Sequence, residues 1–138
     1  MNGRQIVLGG VVAGVLILIF SLAISWVTQV AFHYTAVDLA GMRGVTDPVS
    51  VLFFVYPWIL GFSIAYVYAL VASSFTGSQM RKGLQFGLIM WLVVSFTSAF
   101  LVYSSMSYPV GFTVNSLVGP LIYLPVAGVV LARIIKQS

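Results

Sequence analysis

The chain contains four long runs of residues without a charged side chain. They extend from residue 6 to about 28, from 48 to about 74, from 83 to about 105 and from about 113 to 132. At about 1.5 Å per residue, each run is long enough to cross the roughly 30 Å hydrocarbon layer of a bilayer as an α-helix. Composition agrees, because 61% of the 138 residues are hydrophobic and 6% are charged, whereas a soluble domain usually carries about 25% charged residues.

These runs predict an all-α membrane protein with a bundle of four transmembrane helices. The strands of a membrane β-barrel would show segments of about 10 residues that alternate between apolar and polar side chains, and these runs are continuously apolar. We expect helices at about residues 5–29, 48–74, 83–105 and 113–135. The whole chain, residues 1–138, is then a single integral membrane domain.

The cations predict the orientation of the bundle. Five of the six lie at the same side of the predicted helices, namely Arg4, Arg81, Lys82, Arg133 and Lys136. The opposite side has one cation, Arg43, in the loop between the first two helices. Cytoplasmic loops of membrane proteins carry the excess of Lys and Arg. We therefore expect both termini in the cytoplasm and a multi-pass protein of the cytoplasmic membrane.

Local signals mark the helix boundaries and the connections. Asp47 followed by Pro48 is typical of an N-cap and the first position of a helix. A short turn around Gly77 precedes Arg81 and Lys82, and a short connection of this kind predicts that the second and third helices are antiparallel neighbours.

Small residues recur at every fourth position in three of the predicted helices. Because lipid removes most of the hydrophobic drive for helix association, close approach at small residues is expected to hold the helices together. Such faces could also form a seam between copies of the chain. The predicted packing residues are Gly61, Ala65, Ala69 and Ser73 in the second helix, Gly10 and Gly14 in the first, and Gly83 and Gly87 in the third.

The fourth helix combines prolines with one carboxamide. Pro120 and Pro125 each lack a backbone N–H, so they interrupt or kink the predicted helix and free a carbonyl. Asn115 precedes them and can both donate and accept hydrogen bonds. The sequence therefore allows a pathway or ligand site at this position, although a simple kink, which prolines routinely cause in membrane helices, explains them better.

Aromatic residues collect near the predicted outer ends of the first three helices. Tyr and Trp prefer the headgroup level, which favours a membrane-anchoring belt. A ligand-binding cup is the alternative, and it requires the rings to point into the bundle. The residues concerned are Trp26, Tyr34, Tyr56, Trp58, Tyr103 and Tyr108.

The chain offers little chemistry for catalysis. It has no cysteine, and its two acidic residues are both aspartates in the first loop. His33 and Asp38 are the only pair that could combine a base with an orienting carboxylate, and no nucleophile motif accompanies them. We expect no enzyme activity, no cofactor and no metal site. The scattered cations form no basic stripe, so no nucleic-acid partner is expected either.

The residues therefore favour a non-enzymatic accessory or interaction subunit that packs through small-residue helix faces. Its partners would be the lipid bilayer and either further copies of the chain or a larger membrane complex. The alternative is a small oligomeric transporter or channel for a neutral or hydrophobic solute. In that case Asn115, His33 and Asp38 are the candidate ligand or pathway residues.

Overall fold

Four helices account for nearly all of the chain that can be described. The computed structural model describes residues 3–35 and 46–135, and no strand occurs in these two ranges. The helices are α1 (Gly3–Phe32), α2 (Leu52–Ser74), α3 (Gln79–Ser105) and α4 (Val110–Ile134). Each is long and apolar enough to cross a bilayer. The predicted all-α class with four candidate membrane spans is confirmed.

Three of the helices, α1, α3 and α4, are longer than the uncharged runs from which they were predicted. α3 begins at Gln79 rather than at about residue 83, because the Ser78 hydroxyl accepts a hydrogen bond from the backbone N–H of Arg81 at 3.3 Å and caps the helix. α4 begins at Val110 rather than at about residue 113. The terminal turns therefore include cations, whose long side chains can reach past the apolar layer. These cations are Arg4, Arg81, Lys82 and Arg133.

The second helix begins with a tighter turn. Pro48–Val51 is a 3-10 helix that continues directly into Leu52. The backbone N–H of Val49 donates to the Asp47 carboxylate at 2.9 Å, so this side chain satisfies a backbone donor that the first turn leaves free.

Three sides of the bundle are closed by close packing of neighbouring helices. We call the end with Arg4, Arg81 and Arg133 the cationic end and the other end the distal end. α1 packs closely on α2 and on α4, and α4 also packs closely on α3. The backbones of α2 and α3 stay apart. The two helices, which the sequence predicts to be antiparallel neighbours, thus meet through aromatic side chains rather than through closely packed backbones.

Aromatic rings bridge the fourth side of the bundle near the cationic end. The rings of Tyr68 in α2 and Phe86 in α3 lie 5.1 Å apart in an edge-to-face arrangement. Phe75, which follows α2, lies 6.3 Å from Phe86. Tyr68 and Phe86 are almost fully buried. These large rings fill the space between α2 and α3 and keep the two backbones further apart than small residues would.

α4 is the central helix, and it uses two faces. One face meets α1 at Gly111, Asn115, Gly119 and Leu131. The other face meets α3 around Pro125 and Gly128. α4 continues without a break through Pro120 and Pro125, and both prolines are buried. The expected interruption of the fourth helix is therefore not present.

Candidate functional site

The predicted small residues of α1 and α2 meet each other. A Cβ atom added to Gly61 would stand 2.7 Å from the carbonyl oxygen of Gly10 and 2.7 Å from the nitrogen of Gly14. A side chain at position 61 would therefore press on backbone. The rings of Phe62 and Trp58 lie beside the crossing, within 2.7 Å of a Cβ placed on Gly10 and Gly14 respectively. The two glycine faces are used by the chain itself.

The second glycine crossing lies between α3 and α4. A Cβ atom on Gly83 would stand 2.6 Å from the Gly128 carbonyl oxygen, and one on Gly87 would stand 2.6 Å from the nitrogen of Pro125. Gly128 in turn approaches the carbonyl of Gly83. Gly87 has no side chain and Pro125 has no backbone N–H, so the two backbones meet directly at this point.

Beyond Ala65, the predicted α2 stripe turns gradually away from the bundle. Ala65 is fully buried, Ala69 is half-buried and Ser73 is exposed. Ser73 lies in the final 3-10 turn, Ala72–Ser74. A strict fourfold repeat drifts around a helix of 3.6 residues per turn, so only the first part of the stripe faces α1.

Asn115 makes a polar contact between α1 and α4. Its side-chain oxygen lies 3.3 Å from the Thr28 hydroxyl, which also lies 2.7 Å from the Ile24 carbonyl oxygen. A threonine hydroxyl has one proton, and Thr28 donates it to the Ile24 carbonyl, which is the nearer acceptor. With the carboxamide turned so that its NH2 group faces Thr28, Asn115 donates to Thr28 and both contacts are made together. Asn115 therefore joins two helices and stays partly exposed.

His33 ends α1 in a left-handed conformation, with φ of +56°. The backbone N–H of Tyr34 donates to the Gln29 carbonyl at 3.2 Å, which is the bond that closes a Schellman cap with His33 at the position usually taken by glycine. The His33 side chain is exposed. Its role in the described chain is thus to end a helix, and Asp38, its predicted partner, lies outside the described residues.

An open groove lies beside this helix end. It has a volume of about 540 Å³ and is lined by Trp26, Gln29, Val30, His33, Tyr34 and Thr35. The Tyr34 hydroxyl donates to the Gly111 carbonyl at 3.3 Å and so ties the groove to the start of α4. Burial raises the pKa of the Tyr34 phenol above its ordinary value by desolvation, which keeps this donor protonated.

Three of the six aromatic residues predicted near the distal end are exposed. Trp26 is 67% exposed and Tyr103 is 62% exposed, and Tyr56 is also exposed. Tyr34, Trp58 and Tyr108 are partly buried, and the Trp58 ring packs on Gly14. Outward rings are what an anchoring belt requires, whereas a ligand-binding cup would require inward rings.

Sequence reasoning missed a π-helical segment in the middle of α3. The segment spans Trp91–Phe96. At its start, the Trp91 indole N–H donates to the Leu117 carbonyl of α4 at 2.8 Å. The carbonyl that loses its backbone donor at Pro120 is that of Ser116, the residue before Leu117. The run Trp-Leu-Val-Val-Ser-Phe carries no signal for this geometry; the one clue it offers is a tryptophan in mid-helix, whose indole N–H needs an acceptor when buried.

The hydroxyl groups of the helices find acceptors on their own helix. Ser63 donates to the carbonyl of Ile59 at 2.6 Å, and Ser116 donates to that of Phe112 at 3.0 Å. In the described ranges, no three His, Cys, Asp or Glu side chains lie together where they could hold a metal ion.

Comparison of the chain with protein-family models, with curated proteins and with solved structures finds no match.

Proposed function

We propose that the chain is a multi-pass protein of the cytoplasmic membrane with both termini in the cytoplasm, and that it acts as a non-enzymatic accessory or interaction subunit. Four candidate spans support the membrane location. The cations of the described helices all lie at one end, in the terminal turns of α1, α3 and α4, and the positive-inside rule puts that end in the cytoplasm.

The observation that carries the proposed role is the unpacked fourth side of the bundle. Beyond the rings of Tyr68 and Phe86, the backbones of the distal halves of α2 and α3 stay apart. They expose large apolar side chains, among them Phe53, Phe54, Phe100 and Leu101. The glycine faces are used inside the chain, so the contact with a partner is assigned to the distal halves of α2 and α3 instead.

The test is gentle extraction from the membrane followed by native mass measurement. We expect the chain to be recovered with a different polypeptide or with a second copy. Phe54→Ala and Phe100→Ala should weaken that association, because they remove contact area on the two distal halves. Ile19→Ala, an exposed change on α1, is the matched control and should leave it intact. Recovery of the unaltered chain as a monomer alone would contradict the proposal.

The orientation has its own test in this cysteine-free chain. Thr76→Cys lies in the turn between α2 and α3, and Ser107→Cys lies in the loop between α3 and α4; both positions are exposed. A membrane-impermeant thiol reagent added to intact cells should label position 107 and not position 76. The reverse pattern would place the termini outside.

The second candidate function is a transporter or channel for a neutral or hydrophobic solute. The Thr28–Asn115 contact supports it, because it places a carboxamide between α1 and α4. If this function holds, Asn115→Leu abolishes flux into proteoliposomes and His33→Ala does not. Flux should then change little between about pH 5.5 and 8.5, the interval in which histidine is the side chain that ordinarily titrates.

A further inference from the structure

The hydroxyl group of Tyr123 lies in the bundle without a hydrogen bond. Tyr123 belongs to α4, is 7% exposed and is part of the hydrophobic core. Within residues 3–35 and 46–135, its phenol takes part in no hydrogen bond. No fully enclosed side-chain oxygen or nitrogen in these ranges lacks a partner. The Tyr123 oxygen is therefore not fully enclosed, and it reaches an opening at the surface of the bundle.

This hydroxyl is far from both ends of its helix. Tyr123 lies one residue from the middle of α4 (Val110–Ile134), which puts it about 18 Å along the axis from either end. In a bilayer, water is absent at this depth, and the headgroups begin about 15 Å from the midplane. A buried hydroxyl without a partner costs free energy. An acceptor for Tyr123 must therefore come from a molecule that enters the hydrocarbon layer.

A second phenol lies near the first. Tyr56 of α2 is close enough to Tyr123 for the two phenol groups to interact electrostatically. Tyr56 comes one turn before Leu60, which is 8% exposed, yet Tyr56 itself is 48% exposed. It thus lies at the edge of the face that α2 turns toward the bundle. The two phenols line one opening, with Tyr123 at its inner wall and Tyr56 at its rim.

This opening lies on the side of the bundle between α2 and α3. α1 packs closely on both α2 and α4 and closes the opposite side, whereas the backbones of α2 and α3 stay apart. The rings of Tyr68 and Phe86 fill the gap near the cationic end, and Tyr56 lies about three turns further toward the distal end. Between their terminal turns, the described helices carry no charged side chain. A ligand would therefore enter sideways from the bilayer, and it would be uncharged.

We propose that Tyr56 and Tyr123 form a binding site for an uncharged, largely hydrocarbon molecule that carries a carbonyl oxygen. Such an oxygen has two lone pairs and can accept one hydrogen bond from each phenol. A hydrocarbon tail matches the apolar walls and keeps the molecule in the bilayer core. Phospholipids hold their polar groups at the membrane surface and do not supply this oxygen. The site goes beyond the proposed accessory role and does not depend on it.

Equilibrium binding of radiolabelled 2-decyl-1,4-benzoquinone, a carbonyl compound with a hydrocarbon tail, tests the site. The chain is placed in lipid nanodiscs, and binding to empty nanodiscs is subtracted. We expect saturable binding that Tyr123→Phe and Tyr56→Phe each weaken by about 2- to 12-fold, the range that one hydrogen bond usually contributes. Tyr66→Phe, an exposed change on α2, is the matched control and should bind like the parent. Equal binding by the parent and Tyr123→Phe would overturn the proposal.

Two measurements separate a carbonyl site from simple partition of an apolar molecule. Decylbenzene has the same tail without a carbonyl, so it should compete poorly with the quinone; competition equal to that of unlabelled quinone would refute the site. The infrared carbonyl stretch of the quinone should fall in frequency on binding to the parent, because hydrogen bonds weaken the C=O bond. This shift should shrink in Tyr123→Phe, and an unchanged shift would contradict the assignment.

Thermal unfolding without the probe tests whether the Tyr123 hydroxyl is without a partner in the chain. Tyr123→Phe should unfold at or above the temperature of the parent, because its hydroxyl has no hydrogen bond to lose. A lower temperature would mean that the hydroxyl is satisfied within the chain, and the proposal would be wrong. The proposal also fails if no quinone binds and Tyr123→Phe instead weakens the association with another polypeptide, since the acceptor then belongs to a partner helix.

Discussion

Gly61 of α2 lies against the backbone of Gly14 in α1, with a distance of 2.7 Å between the Gly14 nitrogen and the place where a Cβ of residue 61 would stand. The contact leaves no room for any side chain. It joins two glycine positions from separate helices, each of which belongs to a predicted small-residue face. α1 and α2 can therefore approach closely because residue 61 has no Cβ atom.

The first prediction concerns this contact. Gly61→Ala should destabilise the bundle by about 1–3 kcal/mol, because a methyl group against backbone forces the two helices apart. Thermal unfolding in detergent measures the effect. Gly3→Ala is the matched control, since nothing lies within 4 Å of a Cβ at that position. Equal, small shifts for both variants would mean that α1 and α2 separate at little cost.

The second prediction concerns the hydrogen bond between α3 and α4. Trp91→Phe keeps most of the ring but removes the donor that reaches the Leu117 carbonyl at 2.8 Å. Interhelical hydrogen bonds in membranes contribute about 0.6–2 kcal/mol, and we expect a loss of that size in the free energy of unfolding. Trp26→Phe, at an exposed position, should change it little. A larger loss at position 26 would show that belt anchoring matters more than this bond.

The third prediction concerns the end of α1. The left-handed conformation of His33 costs a residue with a side chain about 1–2 kcal/mol, so His33→Gly should raise the unfolding temperature. His33→Val should lower it, because β-branched residues adopt positive φ poorly. His33→Asn, which tolerates this conformation, is the control and should stay near the parent. If His33→Gly lowers stability, the imidazole makes a contact that outweighs the backbone strain.

The fourth prediction concerns the polar contact between α1 and α4. A double-mutant cycle with Thr28→Val and Asn115→Leu should give a coupling energy of about 0.6–2 kcal/mol, read from unfolding in detergent. Thr28→Val alone should cost little more than this coupling, since the Ile24 carbonyl keeps its own backbone donor. Additive effects of the two changes would show that Asn115 and Thr28 do not interact, and the 3.3 Å contact would then have no energetic role.

The local order of this chain was readable from its residues. Four uncharged runs were enough to predict four helices, because a long apolar stretch can satisfy its backbone groups in lipid only by forming a helix or a closed barrel. Asp47 and Ser78 show where this local reasoning is reliable and where it is incomplete. The Asp47-Pro48 pair predicts a helix start, whereas the Ser78 cap is hard to predict because Arg81 and Lys82 follow it and make the segment resemble a charged turn.

Only the tertiary structure decided which helix faces meet. Gly10, Gly61, Gly83 and Gly87 were visible as small residues, but spacing along one helix does not identify the neighbour, and Ser73 belonged to the same repeat yet faces outward. The separation of α2 from α3 depends on the rings of Tyr68 and Phe86 meeting from different helices. The π turn at Trp91 likewise depends on what α4 presents, since the local sequence is equally compatible with an α-helix. Which helix faces pair depends on how residues far apart in the sequence fit together in shape. A pattern of residues along one helix carries no information about that fit.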